Sequence, residues 1–188
     1  MRFNKYNIKF YKAARKARSK ITPITKEDLD YLTYRIDTAL EESRLGDIEP
    51  FLQHRGTSRL THCVAVTYYS YFLCKTLRLK CDIEELVTGA LLHDYYFYDW
   101  RDIEKHRKWH AQVHPQAACH NASMDFELTD KEKDIIAKHM FPLTKTPPAY
   151  RESAIVCLVD KFCAIYEFCS KHTYRTMKRR MRDCKATV

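Results

Sequence analysis

The sequence predicts an all-α fold, a single-domain helical bundle opened by an N-terminal helical hairpin, and three observations lead there. The chain has 188 residues, close to the roughly 150 of an average domain, so one core is expected. It has only 3 glycines and 6 prolines, whereas sandwiches and barrels need turn residues roughly every 8 to 12 positions. Apolar residues recur at helical spacing rather than in strand-like alternation. Hydrophobic residues make up 45%, and a domain of this length buries roughly 70% of the surface its unfolded chain exposes. Such a core needs no staples.

Residues 4–19 read as a basic, amphipathic helix. A second opens at Thr25, where Thr-x-x-Asp to Asp28 forms a capping box, and Leu29, Leu32, Ile36 and Leu40 keep helical spacing until Gly46. These two make the hairpin, residues 1–50. The stretch GDIEPFLQHRGT has no clear period. A long helix is expected from about Ser58 to Lys80, and another from Asp82 to about His93 on the stripe Ile83, Leu86, Val87, Ala90 and Leu91. Then DYYFYDWRDIEKHRKWHAQV runs on without periodicity, and long irregular connections inside compact domains tend to be functional. His114-Pro115 puts a proline in the first turn of a helix reaching about Met124. Thr129 and Glu132 form a second capping box, for a short helix ending near His139. A last long helix is expected over about 149–182, with 171–188 as a strongly basic end.

Several classes are excluded by composition. The three glycines, Gly46, Gly56 and Gly89, allow no phosphate loop, dinucleotide fingerprint or nucleophile elbow. The longest uncharged run, Leu60 to Cys74, has 15 residues and contains His62, short of the about 20 apolar residues of a spanning helix. The N-terminus has scattered cations and no apolar block, unlike a secretory signal. A cytoplasmic location with no membrane partner is the expectation. The eight cysteines include no Cys-x-x-Cys pair, which disfavours a zinc ribbon. Most read as buried reduced thiols, with Cys119 and Cys163 as candidates for a reactive one.

The informative feature is a set of polar residues on apolar faces. His93 lies seven residues beyond Leu86 and Asp94 seven beyond Val87, nearly two helical turns, so both extend a core-facing stripe. His62 is in phase with Ala65, Val66, Tyr69 and Leu73. His139 follows Ile135 and Ile136, and Asp160 sits among Val156, Cys157, Cys163 and Ala164. Any one of these alone reads as a satisfied core residue. Together they leave two buried carboxylates, Asp94 and Asp160, each costing several kcal/mol unless compensated. A divalent cation compensates them, and imidazole with carboxylate suits Fe, Mn or Zn.

The ordered pattern of His62, then LLHDYYFYDW with His93-Asp94, then LVDK with Asp160 resembles the HD-domain metal-dependent phosphohydrolases, an all-helical superfamily, over residues 55–170. His114 in HPQAACHNA and His139 in IIAKHMFPL fall between these motifs. The dinuclear branch of the superfamily includes HD-type diadenosine polyphosphate hydrolases and cyclic dinucleotide phosphodiesterases. Resemblance to it implies His62, His93, Asp94 and Asp160 on one ion, His114 and His139 on a second, and Asp94 bridging. A mononuclear site stays open. The bulky YYFYDW departs from the short apolar turn of better known members.

The activity this implies is hydrolysis of a phosphate ester or anhydride by a metal-activated hydroxide. The partner is a small anionic, phosphate-containing substrate, with a nucleotide favoured. Asp94 is central. Lys161, Arg59, Arg101 and Lys108 are the candidate cations for phosphoryl oxygens, each with solvated surface charge as the plain alternative. His110 is the candidate proton donor to the leaving oxygen, ahead of His106, while His54, His120 and His172 read as non-ligands. Tyr95, Tyr96 and Trp100 lead an aromatic cluster that either stacks on a nucleobase or plugs the bundle. A second class of function remains beside this one. Residues 1–20 hold eight Lys/Arg and no acid, and Lys171 to Lys185 add seven against one Asp, a charge pattern suited to nucleic acid.

Overall fold

The computed structural model describes residues 24–54, 56–101, 104–170 and 174–185, and the backbone alone at 104–109 and 184–185. Seven α-helices lie within these residues, as the low glycine and proline content leads one to expect. The first helix of the predicted hairpin, 4–19, falls outside them.

Helix α1 spans Lys26–Glu42 behind the capping box read from the sequence. Asp28 N donates to Thr25 Oγ1 over 3.2 Å, and Thr25 N donates to Asp28 Oδ2 over 2.9 Å. Its Leu29, Leu32 and Ile36 are buried. A 3-10 turn, Leu45–Ile48, follows. The next piece, unassigned from sequence, is a two-stranded antiparallel ribbon of β1, Leu52–His54, and β2, Thr57–Ser58. Gly56 turns it with a positive φ of 90°, a conformation that favours glycine. Ser58 then caps α2, Arg59–Leu77, by accepting from Thr61 N. Asp82 caps α3, Ile83–Leu92, in the same way.

Two expectations need correction. Helix α4 spans Glu104–Asp125, so it starts about ten residues before His114, and Pro115 lies in its interior. Proline costs a helix one backbone bond and a clash, but the residues ahead of it, EKHRKWHAQV, are competent helix formers that carry the helix through. Helix α5, Asp130–Lys138, has its capping box as predicted. The expected last helix is broken in two, α6 at Arg151–Cys169 and α7 at Arg175–Lys185. Ser170 is extended, and Tyr174 takes a positive φ of 60°. Tyr174 and Met177 are buried in the core, while Arg175, Lys178, Arg179 and Arg182 are exposed. A continuous helix would carry those apolar side chains away from the body.

The core has two clusters. One joins α1, α2, α3, α5 and α6 around Leu32, Val66, Leu86, Ile135 and Val156. The other joins Ile36, Leu45, Leu92, Tyr95, Ala118 and Ile136. Helix α3 packs on α2, α5 and α6, and at Gly89 it lies tight against α5. A Cβ there would meet Ile135 Cδ1 at 2.7 Å and its Cβ and Cγ2 at 2.8 Å. That closeness brings the C-terminal ends of α3 and α5 together. Among the described residues no helix is long and apolar enough to cross a membrane.

Candidate metal centre

Four histidines and two aspartates from five helices and their ends meet in the bundle. His62 stands in the first turns of α2, and Asp160 in the middle of α6. His93 and His139 are the C-cap residues of α3 and α5, and each donates Nδ1–H to a carbonyl at its own helix end. His93 uses Ala90 O at 2.8 Å and His139 uses Ile136 O at 2.7 Å, satisfying helix-terminal carbonyls that otherwise lack partners. His114 does the same within α4, to His110 O at 2.8 Å. With Nδ1 engaged in this way, Nε2 is the ring nitrogen that each of these three imidazoles turns to the interior.

Asp94 lies at the middle of the array. Its Oδ1 is 3.2 Å from His114 Nε2 and 3.6 Å from His139 Nε2, and its Oδ2 is 3.6 Å from His93 Nε2. Asp160 Oδ1 lies 3.0 Å from His62 Nε2 and 3.7 Å from His93 Nε2. The result is two sets of potential ligands that share Asp94, one with His62 and His93, the other with His114 and His139, each within 4.8 Å. All six side chains are buried.

Three features fit a divalent cation. The Nε2 atoms of His114 and His139 face each other at 2.9 Å, where two lone pairs repel unless positive charge lies between them. His93 Nε2 and Asp94 Oδ1 are buried without a hydrogen-bond partner, which is costly for polar atoms. The donor set is imidazole with carboxylate, suited to first-row metals once the rings give up their Nε2 protons.

The electrostatics agree. Burial works against ionised Asp94 and Asp160, but the imidazoles of His93 and His114 around the first, and of His62 and His93 around the second, hold both well below the usual carboxylate range. Burial also works against a charged His62, yet Asp160 and Glu167 raise it to about 10. Burial, then repulsion from His93 and His114, takes His139 down to about 3. Asp94 likewise holds His93 well above the usual imidazole range against its burial, so the buried carboxylates stay ionised only with positive charge beside them, supplied by protonated His62 and His93 or by a cation in place of those protons.

The remaining predicted residues divide. Lys161 and Trp100 line a cavity of about 440 Å³ over the cluster, as does His110. Lys161 Nζ donates to His139 O at 2.8 Å and Cys157 O at 3.1 Å. His110 lies between Trp100, stacked at 5.5 Å, and His114, stacked at 4.4 Å. Arg59 is corrected: it is fully buried, and its guanidinium donates to Tyr96 O at 2.7 Å and Tyr98 O at 3.1 Å instead of facing a phosphate. Tyr95 and Tyr96 are corrected too, since both are fully buried and offer no face to a base. The Tyr95 hydroxyl bonds Asp125 and Arg44 N. Arg101 is exposed and paired with Asp99, and it is not among the cavity-lining residues. The side chains of Lys108 and His106, and all of His172, fall outside the described residues, while His120 is exposed on α4. Burial raises the Cys119 thiol, and takes that of Cys163 up to about 12, so neither is an activated thiol.

Gln53 and Glu167 are missed by the sequence analysis, and His54 enters it only as a non-ligand; all three lie near the cluster. Gln53 Nε2 donates to Asp94 Oδ2 at 2.6 Å, and His54 lines the cavity. Both sit on the ribbon, where no periodicity marked them. Glu167 Oε1 lies 2.9 Å from His62 Nδ1. It comes seven residues after Asp160 on α6, and that phase could have revealed it.

An all-helical bundle whose helix ends gather buried histidines and aspartates into two linked ligand sets defines a metal-binding domain. A family model, the HD domain, matches residues 59–165, which include all six cluster residues. The chain belongs to the HD-domain family. That family consists in general of metal-dependent hydrolases. A search of curated proteins and a search of solved structures return no match.

Proposed function

We propose that this protein is a phosphohydrolase that cleaves a phosphate ester or anhydride at the His/Asp centre, with His62, His93, Asp94 and Asp160 holding one divalent ion, His114 and His139 a second, and Asp94 shared. The observation carrying this reading is the placement of Asp94, whose two oxygens face two different imidazole sets. When bound, such ions acidify water and neutralise phosphoryl oxygens.

The chain's own groups supply the rest. Gln53, bonded to Asp94 Oδ2, fixes the rotation of that carboxylate. Lys161 sets its ammonium on the cavity wall, bonded to His139 O, Cys157 O and Cys157 Sγ, and would exchange one of these partners for a phosphoryl oxygen. His110, within 3.2 Å of the Tyr96 hydroxyl, delivers a proton to the leaving oxygen as its bond to phosphorus breaks. The cavity volume is within the range of small-molecule sites. A nucleotide is the favoured substrate, with Trp100 left as the stacking face now that Tyr95 and Tyr96 are accounted for by packing. Residues 1–50 and 171–188 flank this core.

The test is a panel of nucleotides, dinucleotides, phosphate monoesters and short RNA given to protein loaded with Fe, Mn or Zn. Asp94→Ala should abolish divalent-dependent turnover and drop bound metal, by elemental analysis, from one or two equivalents to near zero. Turnover and metal content unchanged in Asp94→Ala would refute the reading. A second reading, nucleic-acid binding, has one specific support in the exposed basic row Arg175, Lys178, Arg179 and Arg182 on α7. Loss of RNA or DNA binding on reversing that row, with turnover absent from the wild type, would favour it.

A further inference from the structure

Each imidazole of the centre needs its Nδ1–H held if Nε2 is to face inward, and His62 is held differently from the others. His93, His114 and His139 give that proton to main-chain carbonyls of their own helices, which no substitution elsewhere can remove. His62 gives it to a side chain, Glu167 Oε1, over 2.9 Å.

Glu167 is fully buried. Its Oε1 also accepts from the Tyr174 hydroxyl over 2.6 Å, and its Oε2 has no hydrogen-bond partner. A buried carboxylate with one oxygen unpaired is a poor way to fill space, and an apolar residue of the same volume packs there at least as well. The oxygen it does use bonds the ring nitrogen opposite the one that faces Asp160 at 3.0 Å. Tyr174 lies past the end of α6, in a left-handed conformation with a φ of 60°.

We propose that Glu167 is the positioning residue for the His62 side of the metal centre: it holds the His62 imidazole by Nδ1 so that Nε2 is presented as a ligand, and Tyr174 holds Glu167 in place. The proposal rests on the metal-binding reading above. A carboxylate behind a ligating histidine fixes both tautomer and ring orientation, and its loss lowers metal affinity about 10- to 100-fold. The effect is confined to one side, because His114 and His139 do not depend on Glu167.

The experiment titrates metal-free wild type, Glu167→Ala, Glu167→Gln and Tyr174→Phe with Co2+ followed by visible absorption, with Zn2+ competition for affinity. His62→Ala identifies which binding event belongs to this side. In Glu167→Ala that event weakens about 10- to 100-fold while any other event is unchanged. Glu167→Gln, whose amide oxygen accepts the same two bonds, stays close to wild type. Tyr174→Phe shows a smaller loss. In the Zn2+-loaded proteins the 15N resonances of the His62 ring report Nδ1–H with Nε2 bound in wild type and Glu167→Gln, and a mixture of ring states in Tyr174→Phe. Unchanged binding in Glu167→Ala overturns the proposal and leaves the metal centre standing, whereas a wild type that takes up no metal overturns both. A Glu167→Gln variant as weak as Glu167→Ala also overturns it, since charge rather than positioning would be responsible. Should Glu167→Ala not fold, Tyr174→Phe decides: wild-type affinity together with an unaltered His62 spectrum overturns the proposal.

Discussion

Gly89→Ala tests whether the contact between α3 and α5 sets the spacing of the centre. In an unconstrained helix this change stabilises by about 1 kcal/mol, because alanine loses less backbone entropy. Here the new Cβ would lie at 2.7 Å from Ile135 Cδ1 and 2.8 Å from its Cβ and Cγ2, where ordinary contacts between carbons are about 3.5–4.0 Å. Ile135 is fully buried. A β-branched side chain in a helix has one strongly preferred rotamer, and rotation cannot move its Cβ, so the helices must part by several tenths of an ångström. Overpacking of this kind costs about 1–3 kcal/mol, and three atoms in collision place it at the upper end. The expected net loss is about 1–2 kcal/mol, after the helical gain is subtracted. At about 2–4 °C per kcal/mol, the melting temperature falls by about 2–8 °C. Separation of α3 from α5 also moves Asp94 from His139, now 3.6 Å apart between Oδ1 and Nε2, so metal affinity on that side falls as well. Urea denaturation of Gly89→Ala, Ile135→Ala and the double variant measures the coupling. Removing Cγ2 and Cδ1 makes room, and the double variant should be more stable than the sum of the singles by about 1–2 kcal/mol. A stabilised Gly89→Ala, or strict additivity with Ile135→Ala, would refute the reasoning.

Arg59→Met strands the carbonyls of Tyr96 and Tyr98 that its guanidinium now satisfies, and should cost about 2 kcal/mol or more in denaturant unfolding. A neutral result would show that these carbonyls find water. Asp28 links α1 to α2 through the Tyr71 hydroxyl at 2.5 Å and Lys75 at 2.7 Å. Burial opposes its ionisation, but these partners hold its carboxyl at about 2, below the ordinary 3.8. Stability from that depressed value is present above the unfolded pKa and lost as pH falls through the folded one. Asp28→Asn should therefore cost about 2 kcal/mol at neutral pH, with the gap to wild type closing between about pH 4 and pH 2. A gap that stays constant down to pH 2 would remove the linkage. Among the described cysteines, exposed Cys169 should react first with a thiol reagent at neutral pH, because burial raises Cys163 and Cys119; mass spectrometry of the modified peptides reads the order.

The buried cluster was legible because helical phase carries burial. His93, Asp94 and Asp160 sat where hydrophobes were due, and all three are buried and close to one another or to His62. Both capping boxes were legible for a similarly local reason, since Thr25 with Asp28 and Thr129 with Glu132 close their hydrogen bonds within one turn. The errors arose where a local rule met tertiary packing. Pro115 marks a helix start by preference, yet α4 runs through it. The break after Ser170 follows from what Tyr174 and Met177 can bury, which no window of sequence around it displays. Gln53 belongs to a ribbon of five residues, too short for any period to register.

At the aromatic segment after Asp94, where stacking on a base and plugging the bundle were both open, Tyr95 and Tyr96 take the second part. Aromatic residues beside a predicted site invite a stacking role, but the chain leaving Asp94 must first be fixed if that carboxylate is to serve two ligand sets. Tyr95 ties its hydroxyl to Asp125 and Arg44 N. Tyr96 lies under the Arg59 guanidinium at 3.6 Å and gives its carbonyl to it. Arg59 Nε in turn donates to Gln53 Oε1 at 3.2 Å, and Gln53 holds Asp94. The bulky residues and the buried arginine thus form one closed brace around Asp94. A carboxylate held from both its backbone and one of its oxygens needs little reorganisation on binding cations. On the phosphohydrolase reading proposed above, discrimination among substrates would fall to groups that line the cavity, such as Trp100, Met140, Leu143 and Ile165, and changing Tyr95 or Tyr96 should alter metal retention before it alters substrate choice.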